Sequence, residues 1–197
     1  YTQMEFYWAY GDFEKLQKFV QEMYQQIIQD AFGTLQITSG GITCDWSGDW
    51  ELVDYMALFK EHTGIDLETA SDDELKDYAT SQKIKLEDFT QRGRLIDLIF
   101  KKIRGNIKTD RPVFLVNQPI ELEPLAKRDP INPKVVQRLQ IVAYGTELGK
   151  GFGELNDPID QRERFEEQVK LMERGDNEAM FIDYDFLRAL EYGMPPT

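Results

Sequence analysis

One cysteine and one histidine are all that 197 residues offer of the usual soft ligands and neutral-pH acid–base groups. A single thiol excludes an internal disulfide and any metal site built from clustered cysteines. Cys44 falls in a predicted hairpin and reads as a small packed or exposed residue rather than a nucleophile. His62, at the end of a predicted helix, reads as a surface residue. No apolar run approaches the roughly 18 residues of a membrane helix and no signal peptide is visible, so a cytoplasmic location is expected. Repeats and low-complexity tracts are also missing. Positive charge is scarce: 23 Lys and Arg face 36 Asp and Glu, a net charge of −13. That balance argues against a broad nucleic-acid-binding face, which needs clustered cations. Two local exceptions, Lys101, Lys102, Arg104 and Lys108, and then Lys127 and Arg128, are points where an acidic protein can still touch RNA.

What is present is a globular chain. An apolar fraction of 41% and an aromatic fraction of 12%, over this length, suffice for one domain with a core, or one with a small insertion. Thr2 to Tyr10 alternates like a strand, with Glu5 and Tyr7 on one face and Met4, Phe6 and Trp8 on the other. Apolar residues from Phe13 to Ile28 keep helical spacing behind Asp12, and Gly33 stops that helix. Strands at Leu35–Thr38 and Ile42–Trp46 flank Ser39-Gly40-Gly41, a hairpin signal. From Trp50 to Gly105 the pattern is helical (Leu52–His62, Asp72–Gln82, Thr90–Arg104), with Ser71 and Glu74 as a capping box.

Strands resume at Pro112–Val116, Arg138–Tyr144 and Thr146–Phe152. Asp157-Pro158 then opens a helix whose buried face is expected to hold Phe165, Val169 and Met172. A last helix runs from Asp183 to Tyr192. Regular strand–helix alternation is absent, so the expected fold is α+β, an antiparallel sheet with flanking helices.

The stretch Gly145–Asp157, GTELGKGFGELND, holds the most chemistry. Lys150, Phe152 and Glu154 share parity and point to one side of a regular strand. Glu147 has the opposite parity and joins them only if Gly149 or Gly151 permits a bulge. An exposed strand with solvated carboxylates is the alternative reading.

That string, the following PIDQRERF, MEFYWAY at Met4–Tyr10, PLAKR at Pro124–Arg128 and EYGMPPT at Glu191–Thr197 together resemble the catalytic domain of class II lysyl-tRNA synthetases. The resemblance implies a partial class II synthetase core over residues 1–197, with a helical insertion at 50–105. It implies ATP-dependent activation of lysine to lysyl-adenylate and transfer to tRNA, with Mg2+ as cofactor, lysine, ATP and tRNA as partners, a homodimer when intact, and no membrane. Residue by residue, it assigns Glu5, Tyr7, Lys150, Phe152 and Glu154 to the lysine, Tyr1 and Glu147 to ATP, and Glu147 with Gln140 to the metal. No protein side chain acts as a nucleophile in that chemistry. A carboxylate suits a pocket for an amine leaving water.

Two positions depart from the family pattern. Gln140 stands where a second metal-binding glutamate is usual, and an amide offers oxygen without charge. Lys150 stands where an asparagine is usual, and its ammonium repels a cationic ligand unless it pairs with Glu154 or turns to solvent. The resemblance runs from the end of the second class-defining motif to just before the third. The arginines that grip ATP in the family therefore fall outside it, and these residues alone are expected to be inactive, with unpaired sheet edges. Two other outcomes fit the same residues: a paralogue that modifies a protein such as elongation factor P, and a non-catalytic binding module.

Overall fold

The computed structural model describes residues 2–86, 91–107, 109–176 and 179–197. In chain order come helix α1 (Phe13–Phe32), strands β1 (Gln36–Ser39), β2 (Ile42–Asp45) and β3 (Glu51–Asp54), and helices α2 (Tyr55–Thr63), α3 (Asp72–Ser81) and α4 (Arg92–Arg104). Strands β4 (Val113–Val116), β5 (Gln118–Pro119), β6 (Val135–Val136), β7 (Arg138–Ala143) and β8 (Thr146–Phe152) follow, then helices α5 (Pro158–Glu173) and α6 (Tyr184–Tyr192).

Local chemistry sets most of these boundaries. The Asp12 side chain accepts from the Lys15 amide to start α1, and Gly33 ends it at φ 68°. Ser71 and Glu74 close the capping box of α3 from both sides. Asp157 caps α5 with Pro158 at its first position, where the missing amide costs nothing. The β7–β8 connection is a two-residue turn, Tyr144 at φ 57° and Gly145 at φ 72°, the double left-handed geometry that suits sheet twist.

The central sheet has the order β3-β4-β7-β8, antiparallel except that β3 runs parallel to β4. Helices α2, α3 and α4 cover one face, packing Tyr55, Phe59, Leu75, Ile96 and Phe100 against Val113, Leu115 and Val142. Helix α1 and the β1–β2 hairpin cover the other, where Val20, Trp46 and Trp50 meet Phe114, Leu139 and Ile141. Because both faces are buried, β4 reads as an unbroken apolar run, Val-Phe-Leu-Val.

Three expectations change. Thr2–Tyr10 is not a strand: it has no ladder partner among the described residues, and alternation alone does not make a sheet. Its alternation of faces survives, since Phe6 and Trp8 both pack edge-on against Phe19 of α1, at 5.5 and 5.7 Å between centroids. The predicted helix at Leu52 begins as β3, a four-residue run too short for periodicity to separate strand from helix. On α5, Phe165 is buried but Met172 is 44% exposed, and the inner positions belong to Gln161 and Arg164. That face meets the carbonyls of a turn rather than the apolar core: Arg164 donates to the carbonyls of Glu123 and Ala126, and Gln161 to that of Pro124.

The start of α4 fixes this turn from the other side. A Cβ on Gly93 would lie 2.9 Å from the Glu121 carbonyl oxygen. Gly93→Ala should therefore displace the 120–123 turn and destabilise the protein by about 1–3 kcal/mol, read as a lower urea midpoint. An unchanged midpoint would show that the turn yields freely.

Candidate functional site

A cleft of about 970 Å3 opens between residues 2–8, the inner face of α1 and strand β8, with Glu123, Leu125 and Thr197 closing it. Strand β8 supplies one wall. Its ladder with β7 pairs Gln140 with Lys150 and Ile141 with Gly149, then jumps to Val142 with Glu147, leaving Leu148 as the extra residue of a bulge. Directly opposed residues share a face, so Glu147, Lys150 and Phe152 project to the same side of the sheet. The Tyr24 hydroxyl donates to the Leu148 carbonyl at 3.0 Å and holds the bulge in place. A Cβ on Gly149 would stand 3.0 Å from that same hydroxyl and 3.1 Å from Ile141, so the glycine lets α1 lie close against β8.

Glu147 is fully engaged at one oxygen. Its Oε2 accepts from Arg104 Nη1 at 2.9 Å and from Gln140 Nε2 at 2.8 Å. Gln140 stands behind Glu147, buried, and does not line the cleft.

Further along, the chain leaves β8 and runs beside the PLAKR turn. Lys127 donates its amide to the Gly153 carbonyl at 2.8 Å, Leu155 donates to Leu125 at 2.9 Å, and Ala126 bridges Glu154. This pairing brings Glu123 beside Glu154. Glu123 is buried, with Oε2 at 3.4 Å from Arg138 Nε and 3.7 Å from Lys150 Nζ. Burial, with the charges of Glu123 and Glu5, pushes the Glu154 carboxyl up to about 7.

Glu5 faces the same group, and the Tyr7 hydroxyl donates to its Oε1 at 2.7 Å. That bond, with burial and the charges of Glu5 and Glu154, raises the Tyr7 phenol above its ordinary range. The EYGMPPT end ties the two walls together: Tyr10 donates its amide to Pro196, and Glu154 donates its own to Thr197 at 2.9 Å.

Of the residues singled out in the sequence, Glu5, Tyr7, Glu147, Lys150, Phe152 and Glu154 all line this cleft. Gln140 touches it only through Glu147, and Tyr1 lies outside the described residues. Among the described residues no group of three or more His, Cys, Asp or Glu could hold a metal ion. Cys44 is buried, and burial pushes its thiol up to about 11, so it packs rather than reacts. His62 sits at the exposed end of α2 beside the Leu58 carbonyl.

Sequence reasoning missed Glu123 and misplaced two basic groups. Arg104 serves Glu147, Lys101 pairs with Asp97 and Lys102 donates to the Gln82 carbonyl, so the described part of that stretch is spent within the chain. Arg128 makes a two-pronged pair with Asp160 at 2.9 Å on each arm. Glu123 carried no signal of spacing; only its position just before PLAKR marked it.

Comparison with known proteins identifies the family of this chain. The sequence model of the family described as tRNA synthetases class II (D, K and N) matches residues 1–197. The chain is 42% identical over 198 aligned positions to a lysine--tRNA ligase of Porphyromonas gingivalis, covering 100% of this chain and 34% of that protein. Against the lysine--tRNA ligase of Thermosipho africanus it is 38% identical over 197 positions, 100% of this chain and 39% of that one. A third, from Christiangramia forsetii, is 40% identical with 100% and 34% covered. The chain thus spans between a third and two-fifths of the length of these relatives. With a family match that runs end to end, it belongs to the class II tRNA synthetases of the D, K and N group.

Proposed function

We propose that the protein carrying this chain is a lysine–tRNA ligase, which joins lysine to ATP as lysyl-adenylate and passes the lysyl group to tRNA. The observation that carries this reading is the cleft's surplus of carboxylate. Glu5, Glu123 and Glu154 gather at one end, where burial first, and then the repulsion of Glu123 and Glu5, raises the Glu154 carboxyl to about 7. A ligand ammonium relieves that repulsion. Glu5, Tyr7 and Glu154 receive the lysine amine, Phe152 flanks its aliphatic chain, and Lys150 stands at the edge of the pocket. Tyr1 is assigned to the adenine ring by its place before MEFYWAY alone. The block from 50 to 105 is read as an insertion into the synthetase core, and the assembled enzyme as a cytoplasmic homodimer.

The chemistry needs alignment more than a reactive side chain. The lysine carboxylate attacks the α-phosphorus in line, the bond to the β-phosphate oxygen breaks and pyrophosphate leaves. A tRNA hydroxyl then takes the lysyl carbonyl and releases AMP. The protein's part is to orient the carboxylate and neutralise charge.

The residues fit a magnesium ion that arrives on ATP, not a resident one: Glu147 would offer its carboxylate from the cleft wall, and Gln140, behind it, would act through its hydrogen bond to Glu147 unless its side chain turns outward. When bound, the ion supplies positive charge to those phosphates. Gln140→Glu should lower the Mg2+ concentration needed for half-maximal activity by roughly 5- to 10-fold, because it adds an anionic ligand. An unchanged Mg2+ requirement would remove Gln140 from the metal's surroundings.

The primary test is ATP–pyrophosphate exchange, with each amino acid in turn, by the product of the intact reading frame. Exchange with lysine, followed by lysylation of tRNA, supports the proposal. Lysine-dependent exchange without tRNA charging would favour a protein-modifying paralogue, and no exchange by a folded product a binding module.

A pH series tests the cleft itself. Glu154 is neutral below about pH 7 and charged above it, so lysine affinity should rise about tenfold from pH 6 to pH 8. Glu154→Gln should weaken binding and flatten the profile, as followed by titration calorimetry. Its raised folded pKa also means that Glu154 favours the folded state at low pH, a contribution lost as pH climbs from about 4.5 to 7.

A further inference from the structure

Lys150 poses a problem for a pocket that takes a cation, and the structure answers it with Glu123, which no spacing rule had marked. Its ammonium lies 3.7 Å from Glu123 Oε2, while no described cation stands within ion-pair distance of Glu154 or Glu5. Arg138 approaches the same Glu123 oxygen at 3.4 Å from within the fold, and its other arm donates to Gln118. Glu123 therefore collects two cations on one buried carboxylate, Lys150 from the cleft and Arg138 from within the fold. Glu5 and Glu154 line the same cleft with no cation partner among the described residues, so their side is where a ligand ammonium meets unpaired carboxyl groups.

We infer that Glu123 is a positioning residue for substrate selection: it sequesters the Lys150 ammonium so that Glu154 and Glu5 stay open to a single ligand ammonium. The inference rests on the proposed lysine site, and the geometry gives it a specific sign. The Lys150 side chain is half exposed and its stem is flexible, so only the ion pair fixes where its charge lies. With Glu123 neutral, that charge faces the pocket uncompensated and competes with the ligand for the same two carboxylates. With Lys150 also neutral, the competition ends and the need for Glu123 goes with it. A carboxylate that simply attracted the ligand would not show this dependence, nor would one that only braced Arg138.

The experiment is a double-mutant cycle on the full-length enzyme: wild type, Glu123→Gln, Lys150→Asn and the two combined, assayed by pyrophosphate exchange. Glu123→Gln should raise KM for lysine about tenfold and leave KM for ATP within about twofold. Lys150→Asn alone should lower lysine KM, because it takes a competing ammonium out of the pocket. The combined variant should recover most of the tenfold loss. Loss that persists in the combined variant overturns the inference, as does a Glu123→Gln defect spread equally over lysine, ATP and turnover. If Glu123→Gln fails to fold, Lys150→Asn still decides: a large rise in lysine KM would make Lys150 a ligand contact and overturn the sequestration. Failure of the wild type to exchange lysine sinks the proposed function instead, and in that case the ion pair is read directly. The Lys150 side chain, followed by NMR in the ligand-free protein, should then be more mobile in Glu123→Gln than in the wild type, and unchanged mobility overturns the pairing.

Discussion

The pairing of β7 with β8 is the constraint from which the site follows. A strand alternates its side chains strictly, so Glu147 and Lys150, three residues apart, belong on opposite faces of any regular strand. One extra residue at Leu148 cancels that mismatch. The correction depends on the hydrogen bond from Tyr24 to the Leu148 carbonyl and on Gly149, which lets helix α1 approach closely enough to make it. The strand that carries Glu147, Lys150 and Phe152 is thus held in shape by the helix packed against it. Packing of α1 is part of the site's geometry, although no residue of α1 carries charge into it.

Electrostatics inside the molecule follow a single pattern. Arginines drawn into the interior are committed to carboxylates: Arg92 to Asp72 and Glu121, Arg104 to Glu147, Arg138 to Glu123, and Arg128 and Arg164 to Asp160. Taking an ion out of water is costly, and pairing with hydrogen bonds repays it. The Asp160 carboxyl, pinched between two guanidiniums, is held below its usual range in spite of burial. Glu154 has burial without such a partner and moves the other way. The contrast separates carboxylates that hold the fold together from the one that waits for something. The net charge of −13 therefore says little about the site; the local balance within the cleft says much more.

Much of this was legible in the sequence because the signals were local. Caps at Asp12, Ser71 and Asp157 act over three or four residues, and a reader of the chain sees both partners at once. The need for a bulge was legible too, from the parity of Glu147 against Lys150 and two nearby glycines. What stayed hidden was long range. Glu123 meets Lys150 and Arg138 only because the PLAKR turn runs beside the end of β8, and no spacing rule encodes that meeting. The same holds for Arg104, whose neighbours Lys101 and Lys102 suggested a nucleic-acid patch until its guanidinium proved to lie on Glu147. Thr2–Tyr10 failed for the complementary reason: alternation was present, but a strand also needs a partner, and none of the described residues supplies one.

The two departures from the family pattern now have different physical standing. Lys150 brings a positive charge, and Glu123 lies against it, so the pocket's balance is restored within the cleft. At Gln140 nothing restores the lost negative charge. Glu147 and Arg104 form a locus that is neutral as it stands, with the Gln140 amide donating into it. A cation entering there gains little from the protein alone. One end of the cleft thus holds Glu5 and Glu154 with no cation partner among the described residues, while at the other end Glu147 is already neutralised by Arg104.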